Sequence, residues 1–331
     1  MELINNKKLI QLDNLLKISE SETDDKYGYY PFERPMNILL DYGLVLIDKP
    51  PGPTSHEIAS WVKRILNIEK SGHSGTLDPG ATGLLPMGLG EGTKALSILL
   101  LGPKEYFSLA RVHSNFKREN VEKILLEFHG DIFQRPPQRS SVKRMTRIRR
   151  IHELEYVEDH DKLILLRILC QAGTYIRKLI YDIGEVLGSG ATMVELRRTR
   201  VSNFFEREGL VKLHDLYNAY YMYKVKKDEE KIRTLVRPVE ICLNDIPSVI
   251  IRDTAVDALC HGAPLAIPGI TQISSNIQKN DLVGIYTLKG EIVGLAQSLM
   301  PTNDIISQKS GISLIMKRLI MKPNTYPKGW K

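Results

Sequence analysis

The chain has 331 residues, 42% of them hydrophobic and 26% charged, the balance of a folded globular protein with room for two domains. A formal net charge of +7 favours a polyanionic partner, nucleic acid first among them. The cysteines Cys170, Cys242 and Cys260 lie far apart with no CxxC pair, which argues against a structural zinc site or a disulfide scaffold and suits reduced thiols in the cytoplasm.

In chain order, residues 1–35 carry mixed charge, Tyr27, Tyr29, Tyr30, Pro31 and Pro35, and read as an extension lying on another surface. There is no signal-peptide layout in them. A strand over 44–47 ends at Lys49-Pro50-Pro51-Gly52-Pro53, and Thr54 or Ser55 caps a helix over 56–66. The glycine-rich stretch SGHSGTLDPGATG, residues 71–83, reads as a sharply bent loop outside any helix or strand. An apolar helix follows at about 93–101, far too short to span a bilayer. The pattern then predicts a strand over 106–112, a helix over 121–128, a strand over 163–170 and a helix over 174–187. Near Pro247 the grammar changes to that of a small β-rich domain: a strand over 248–251, a helix over 255–260 closed by His261-Gly262, and a hairpin formed by 282–288 and 291–296.

Three stretches carry chemistry. The glycine-rich loop is no phosphate loop, because Gly92-Thr93-Lys94 reverses the required order. Residues 88–92 lack dinucleotide spacing and follow no clear strand, so a nucleotide cofactor is not expected, and neither is a metal. What remains is a lone carboxylate, Asp78, on a stiff turn. It reads either as a local Asx cap or as a nucleophile or base with little rotational freedom. The second stretch, Gly173-Thr174-Tyr175-Ile176-Arg177, sets Arg177 beside core positions. It reads as an ordinary surface arginine or as a half-buried one paired with Asp78 or Asp182. The third, RPPQRSSVKRMTRIRR over 135–150, has seven basic side chains and no acid: Arg135, Arg139, Lys143, Arg144, Arg147, Arg149 and Arg150. Together with Arg197, Arg198 and Arg200 it reads as a phosphate-binding surface rather than a merely solvated loop.

In order along the chain, IDKPPGPTSH, SGHSGTLDPGATG, Lys104-Glu105-Tyr106, RPPQRSSVKR, AGTYIRKLIYDIG and ELRRTR resemble the TruB/dyskerin pseudouridine synthases, most closely the archaeal dyskerin homologues of box H/ACA particles. The ordered set is far more specific than any member. HGAPLAIPGI and the hairpin after it are similar to the RNA-binding PUA domain. The resemblance implies an α+β, mixed-sheet catalytic domain over 36–247, a small β-barrel-like PUA domain over 248–331, and an extension, 1–35, packed on the latter.

By resemblance the chain isomerises uridine to pseudouridine in RNA without cofactor or metal. Asp78 falls on the catalytic residue, Tyr106 on the base-stacking tyrosine and Arg177 on the arginine paired with the aspartate. His73, Tyr175, Leu196 and Lys49 fall on pocket and loop-supporting positions. The carboxylate attacks ribose C1′, attacks uracil C6 or takes a proton from C2′, and residue types leave all three open. The uridine must be flipped out of its stack to reach it. As catalytic subunit of a guide-RNA-directed particle, the implied partners are the guide RNA, substrate rRNA or tRNA, a small zinc-ribbon-type nucleolar protein, a glycine-arginine-rich-type β-barrel subunit and a kink-turn-binding ribosomal-type protein. The alternatives are a stand-alone tRNA uridine-55 synthase and a non-catalytic RNA scaffold. The sequence departs from the dyskerin pattern at Ser74, Gly80-Ala81, Gln171 and Thr192. The absence of a long lysine-rich tail suits a cytoplasmic archaeal protein.

Overall fold

The computed structural model describes residues 15–136 and 145–329. Among them the strands form two sheets. The larger has ten strands: β2 (Gly43–Lys49), β3 (Ser71–His73), β4 (Thr82–Leu89), β5 (Lys104–Val112), β6 (Gly130–Gln134), β7 (Arg147–His160), β8 (Leu163–Cys170), β9 (Ala191–Val201), β10 (Phe204–Phe205) and β11 (Arg237–Pro238). Its main path runs β11-β2-β4-β9-β5-β8-β7-β6, with β3 on β4 and β10 on β9. The smaller, seven-stranded sheet takes β1 (Leu15–Lys17) and β12 (Ser248–Ile251) through β13 (Leu265–Ala266), β14 (Ile270–Ser274), β15 (Leu282–Tyr286), β16 (Ile292–Ser298) and β17 (Ile312–Leu319).

Nine α-helices accompany these strands in the described residues: α1 (Met36–Asp41), α2 (Ser55–Ile65), α3 (Leu96–Leu101), α4 (Arg118–Glu127), α5 (Ile176–Val186), α6 (Leu213–Tyr221), α7 (Glu230–Leu235), α8 (Asp253–Cys260) and α9 (Thr302–Ser307). Helix α5 buries Ile176, Leu179, Ile180 and Ile183 against the larger sheet, the 3.6-residue period visible in the sequence.

The contact that positions the site is the short parallel pairing of β4 with β9, Thr82 opposite Arg197 and Gly83 opposite Arg198. Gly83 has φ +97°, and a Cβ there would lie 2.3 Å from the Arg198 carbonyl oxygen, so only glycine allows the approach. This pairing carries the 71–83 segment to the ELRRTR strand.

Two expectations about that segment are corrected. Its ends do join strands: Ser71–His73 is β3, and Thr82 and Gly83 open β4. Residues 88–92 do follow a strand, since Gly88 and Leu89 end β4, although a 3-10 turn at Gly90–Lys94 comes next and not a nucleotide-binding helix. Glycines and Pro86 hide β4 from any propensity argument. Pro86 is accommodated because it is used as an acceptor, taking the Ser74 N–H at 3.1 Å.

The N-terminal segment crosses onto the smaller sheet. β1 lies antiparallel to β14, and the buried Lys289 ammonium donates to the carbonyls of Asp24 and Tyr27 at 3.1 and 2.6 Å. Buried Arg34 forks onto Glu240 with bonds of 3.0 and 2.7 Å and lies 3.6 Å from Glu291, which accepts from the Tyr326 hydroxyl at 2.7 Å. This ion-paired cluster joins the extension, the segment before β12 and the smaller sheet. Cys170, Cys242 and Cys260 are buried free thiols. Among the described residues no group of His, Cys, Asp or Glu has a metal-site arrangement, and no helix is long and apolar enough to cross a membrane.

Candidate active site

Thr54 resolves the capping question. It is the N-cap of α2, in a reciprocal capping box with Glu57. Ser55 is thereby free for another task. Its buried hydroxyl accepts from the Leu77 N–H at 2.9 Å and donates to the Leu77 carbonyl at 3.2 Å, holding the residue just before Asp78.

Lys49 holds the other side. Its ammonium, wholly buried, donates to the carbonyls of Pro50, Pro79 and Ala81 at 3.0, 2.9 and 2.8 Å. Burial lowers the lysine's pKa, while nearby Asp78 opposes that shift. Gly52 N–H donates to Pro79, and Ala81 N–H closes a turn onto the Asp78 carbonyl. Asp78 is thus clamped on both flanks. Leu77 and Ala81 are buried in the core beneath it, and its own side chain stays 53% exposed.

At that apex Arg177 donates to Asp78 Oδ2 at 2.5 Å. Of the two readings of Arg177 the surface position holds, its side chain being 67% exposed, and the pairing with Asp78 is made there. Ile176 takes the inward position on α5, and one residue on the helix turns the guanidinium out over the loop. Asp182, the other partner considered, pairs with Lys178.

Tyr106 lies half-buried on β5, directly across from Arg198 on β9. Burial raises its hydroxyl pKa, so the ring presents a neutral phenol. Leu196 and Tyr106 belong to the same apolar cluster as Leu77, Ala81 and Ile176, which forms the floor of the site. Tyr175 precedes α5, and its backbone is clipped by buried Gln134, which accepts its N–H at 2.9 Å and donates to its carbonyl at 3.1 Å. His73 stands edge-on to His56, ring centroids 5.0 Å apart. Burial, then His56 and Arg198, lower its pKa to about 4, which makes it a neutral imidazole at physiological pH.

The expected phosphate-binding surface divides. Arg197 is engaged by Asp48 and Glu206, and Arg200 donates to the Ser202 carbonyl and lies over Phe205. Arg198 is buried, 1% exposed, and unable to reach a phosphate. Arg198 is therefore corrected from an RNA contact to a structural residue, whereas Arg197 and Arg200 stay half-buried on β9 with their charges already engaged. Arg135 and Arg150 are exposed and Arg147 and Arg149 half-buried, with Arg150 3.4 Å from Asp131 and Arg149 packed on Gly173. Arg139, Lys143 and Arg144 lie outside the described residues. The stretch read as one basic loop ends in regular structure, because Arg147–Arg150 begins the 14-residue β7, paired with β6.

Ser55, Gln134 and the inward role of Arg198 were not legible in the sequence. A serine beside a helix cap and a glutamine before two prolines give no pattern that a period or motif would detect. Concavities of about 320 Å³ by Ser114, Lys117 and Lys123 and of about 580 Å³ by Trp61, Leu213 and Tyr217 are lined by other residues than these. The Asp78 surface is open, as suits a polymer laid across it. A clamped carboxylate beside a guanidinium, an aromatic ring and an apolar floor has the means to hold a flat base and act as nucleophile or proton acceptor at its sugar.

Comparison with known proteins bears on what that base is attached to. The model for the TruB family pseudouridylate synthase N-terminal domain matches residues 63–117, that for the tRNA pseudouridylate synthase B C-terminal domain 177–244, the PUA domain 247–320 and the DKCLD domain 6–59. A protein of Archaeoglobus fulgidus named probable tRNA pseudouridine synthase B is 45% identical over 322 residues, 97% of this chain and 99% of that one. Two solved structures align along nearly the whole length. An H/ACA ribonucleoprotein bound to a substrate RNA containing 2′-deoxyuridine gives a TM-score of 0.88 at 40% identity, covering 96% of this chain and 97% of that chain. A Cbf5-Nop10-Gar1 complex gives 0.88 at 42%, covering 97% and 98%.

Proposed function

The chain belongs to the TruB family of pseudouridylate synthases, and from that premise we propose that it acts as the catalytic subunit of a guide-RNA-directed H/ACA particle, with Asp78 as its catalytic carboxylate. The observation that carries the assignment to Asp78 is its clamp: Lys49 and Ser55 fix the loop on either side while Arg177 meets the carboxylate at 2.5 Å. Tyr106 would stack on the flipped uracil, Leu196 and Tyr175 would line its pocket, and His73 would hold the displaced nucleotide as a neutral ring. Arg135, Arg147, Arg149 and Arg150 would meet the RNA backbone.

The residues divide the work. Arg177 keeps Asp78 aimed for its part at the sugar or the base. Lys49 and Ser55 keep the carboxylate from retreating when the base turns over. The glycosidic bond breaks with its electron pair on N1. C5 then bonds to C1′ and releases its proton, and N1 takes one up, so the change is an isomerisation with no oxidant or reductant. The smaller sheet, with the extension welded to it by Arg34 and Lys289, would hold the guide RNA at a fixed angle to Asp78. Partners would be those of the similar complexes, a Nop10-like and a Gar1-like subunit, with a kink-turn-binding protein. We place the protein in the cytoplasm, where its three thiols stay reduced.

The name borne by the archaeal relatives favours a second reading, a stand-alone synthase acting on tRNA. One experiment separates them. The purified chain is given tRNA alone, and separately a guide RNA, its target and the partner proteins, and pseudouridine is mapped chemically. Modification only in the second case supports the guided role. Robust modification of tRNA without guide or partners supports the second reading. No modification in either refutes both.

A further inference from the structure

Two arginines are fully buried among the described residues, and they are treated in opposite ways. Arg34 is neutralised by Glu240 and Glu291. Arg198 has no carboxylate partner among the described residues. Its Nε donates to the Leu84 carbonyl at 2.9 Å, and Nη2 to the Gly75 carbonyl at 3.2 Å. Tyr106 is its cross-strand neighbour, so the guanidinium stands beside that phenol as well. Lys104 and Lys49 repeat the pattern nearby. Lys104 donates to the carbonyls of Leu99, Leu100 and Gly102 at 2.9, 2.8 and 2.7 Å, and Lys49 likewise bonds only carbonyls. Among the described residues three buried cations thus stand behind the loop and the tyrosine with no buried acid between them. Burying unpaired charge is costly, and sites that bear the cost usually use the charge.

We propose that Arg198 is a positioning residue for the isomerisation: it holds the Gly75 carbonyl of the Asp78 loop from the strand position opposite Tyr106, and its uncompensated charge, backed by Lys104 and Lys49, supports the uracil while that ring carries the electron pair of the broken glycosidic bond. In each of the three routes open to Asp78 negative charge develops on the uracil, so the role does not depend on which is taken. Preorganised positive charge in a site shielded from water stabilises such an anion without reorganising at the moment of reaction. Because Arg198 bonds the loop and lies opposite Tyr106 in the β5–β9 pairing, it also sets the distance between the stacked base and the carboxylate that acts on its sugar. The inference rests on the isomerase reading alone and holds with or without a guide RNA.

The test compares wild type with Arg198→Gln and Arg198→Lys in the full chain, assembled with RNA as the wild type requires. Single-turnover pseudouridine formation, RNA affinity and urea stability are measured for each. Arg198→Gln is expected to slow the reaction roughly 100-fold, the loss usual for misplaced reacting groups, with RNA affinity within about threefold. Arg198→Lys, which keeps the charge and loses the fork, should recover about a tenth of the wild-type rate, and it serves as the working variant where the glutamine form does not fold. Two readouts separate this role from a structural one. In a Tyr106→Phe background the Arg198 substitution should cost less than in wild type, because the hydroxyl opposite the guanidinium is gone. With 5-fluorouridine in place of the target uridine, whose C5 has no proton to release, glycosidic-bond cleavage is followed instead of pseudouridine formation, and because that ring bears negative charge more easily the deficit in cleavage should narrow. Losses that multiply with Tyr106→Phe, an unchanged deficit on 5-fluorouridine, or an Arg198→Gln rate within threefold of wild type would each overturn the inference. A wild type that converts no uridine would instead sink the isomerase reading itself.

Discussion

Replacing Ser55 with alanine tests whether the Asp78 loop is held from behind. The hydroxyl makes two bonds, both to Leu77, in a place where Ser55 is fully buried and Leu77 almost so. Alanine leaves the Leu77 N–H and carbonyl without partners, and an orphaned buried donor costs about 1–3 kcal/mol. The gain in helix propensity at the first residue of α2 returns only a few tenths of about 1 kcal/mol. Expressed entirely as loss of the loop's working position, that cost corresponds to a rate about 5- to 150-fold lower, at roughly 1.4 kcal/mol per factor of ten. RNA affinity should hold, since Ser55 is inaccessible from the surface. Single-turnover kinetics with saturating protein, read beside urea unfolding, decide the matter. A variant destabilised by the expected amount yet reacting at the wild-type rate would refute the clamp, because the loop would then keep Asp78 aligned without it.

Four further outcomes follow from the same geometry. Asp78→Asn should abolish pseudouridine formation by at least about 1000-fold, a loss typical of a covalent or acid–base group, while gel-shift assembly with RNA is retained. Burial, then neighbouring Arg198, lowers the Lys104 pKa from 10.5 to about 8. Between pH 8 and 10.5 the unfolded chain therefore holds a proton that the folded chain has released, so stability rises with pH across that window. Wild type should gain on Lys104→Met over that range in urea titrations, and a flat difference would count against it. Arg147→Ala and Arg150→Ala should each weaken RNA binding and reduce the slope of log affinity against log salt by about 1, whereas Arg197→Ala, which removes partners of Asp48 and Glu206, should leave that slope unchanged. Gly28 has φ +63°, and a Cβ there would fall 2.1 Å from Glu291 Oε2 and 2.2 Å from the Tyr326 hydroxyl. Gly28→Ala should lower thermal stability by more than the roughly 1 kcal/mol of backbone strain alone, read as a fall in Tm.

Much of the fold was readable locally. The periods that placed the strand over 163–170 and the apolar face of α5 depend only on neighbours along the chain, and they were found close to where they stand. So were the Thr54 cap and the strand over 248–251. β4 and β7 were missed for opposite reasons. β4 is broken by glycines and a proline that exist to admit other strands, and the start of β7 is so basic that its charge hides its alternation.

The ordered motifs identified the family, and composition pointed to a polyanion, because both are properties of the chain as written. Burial is not. Arg177, Arg197, Arg198 and Arg200 look alike in sequence, and the pairing of β4 with β9 gives them different fates: one over Asp78, two engaged beside β9, one sealed behind Tyr106. Which arginine meets RNA, which braces the sheet and which stands unpaired beneath the site depends on contacts between residues about a hundred positions apart. Only the folded chain brings those residues to hydrogen-bonding distance, and that distance decides what each charge can do.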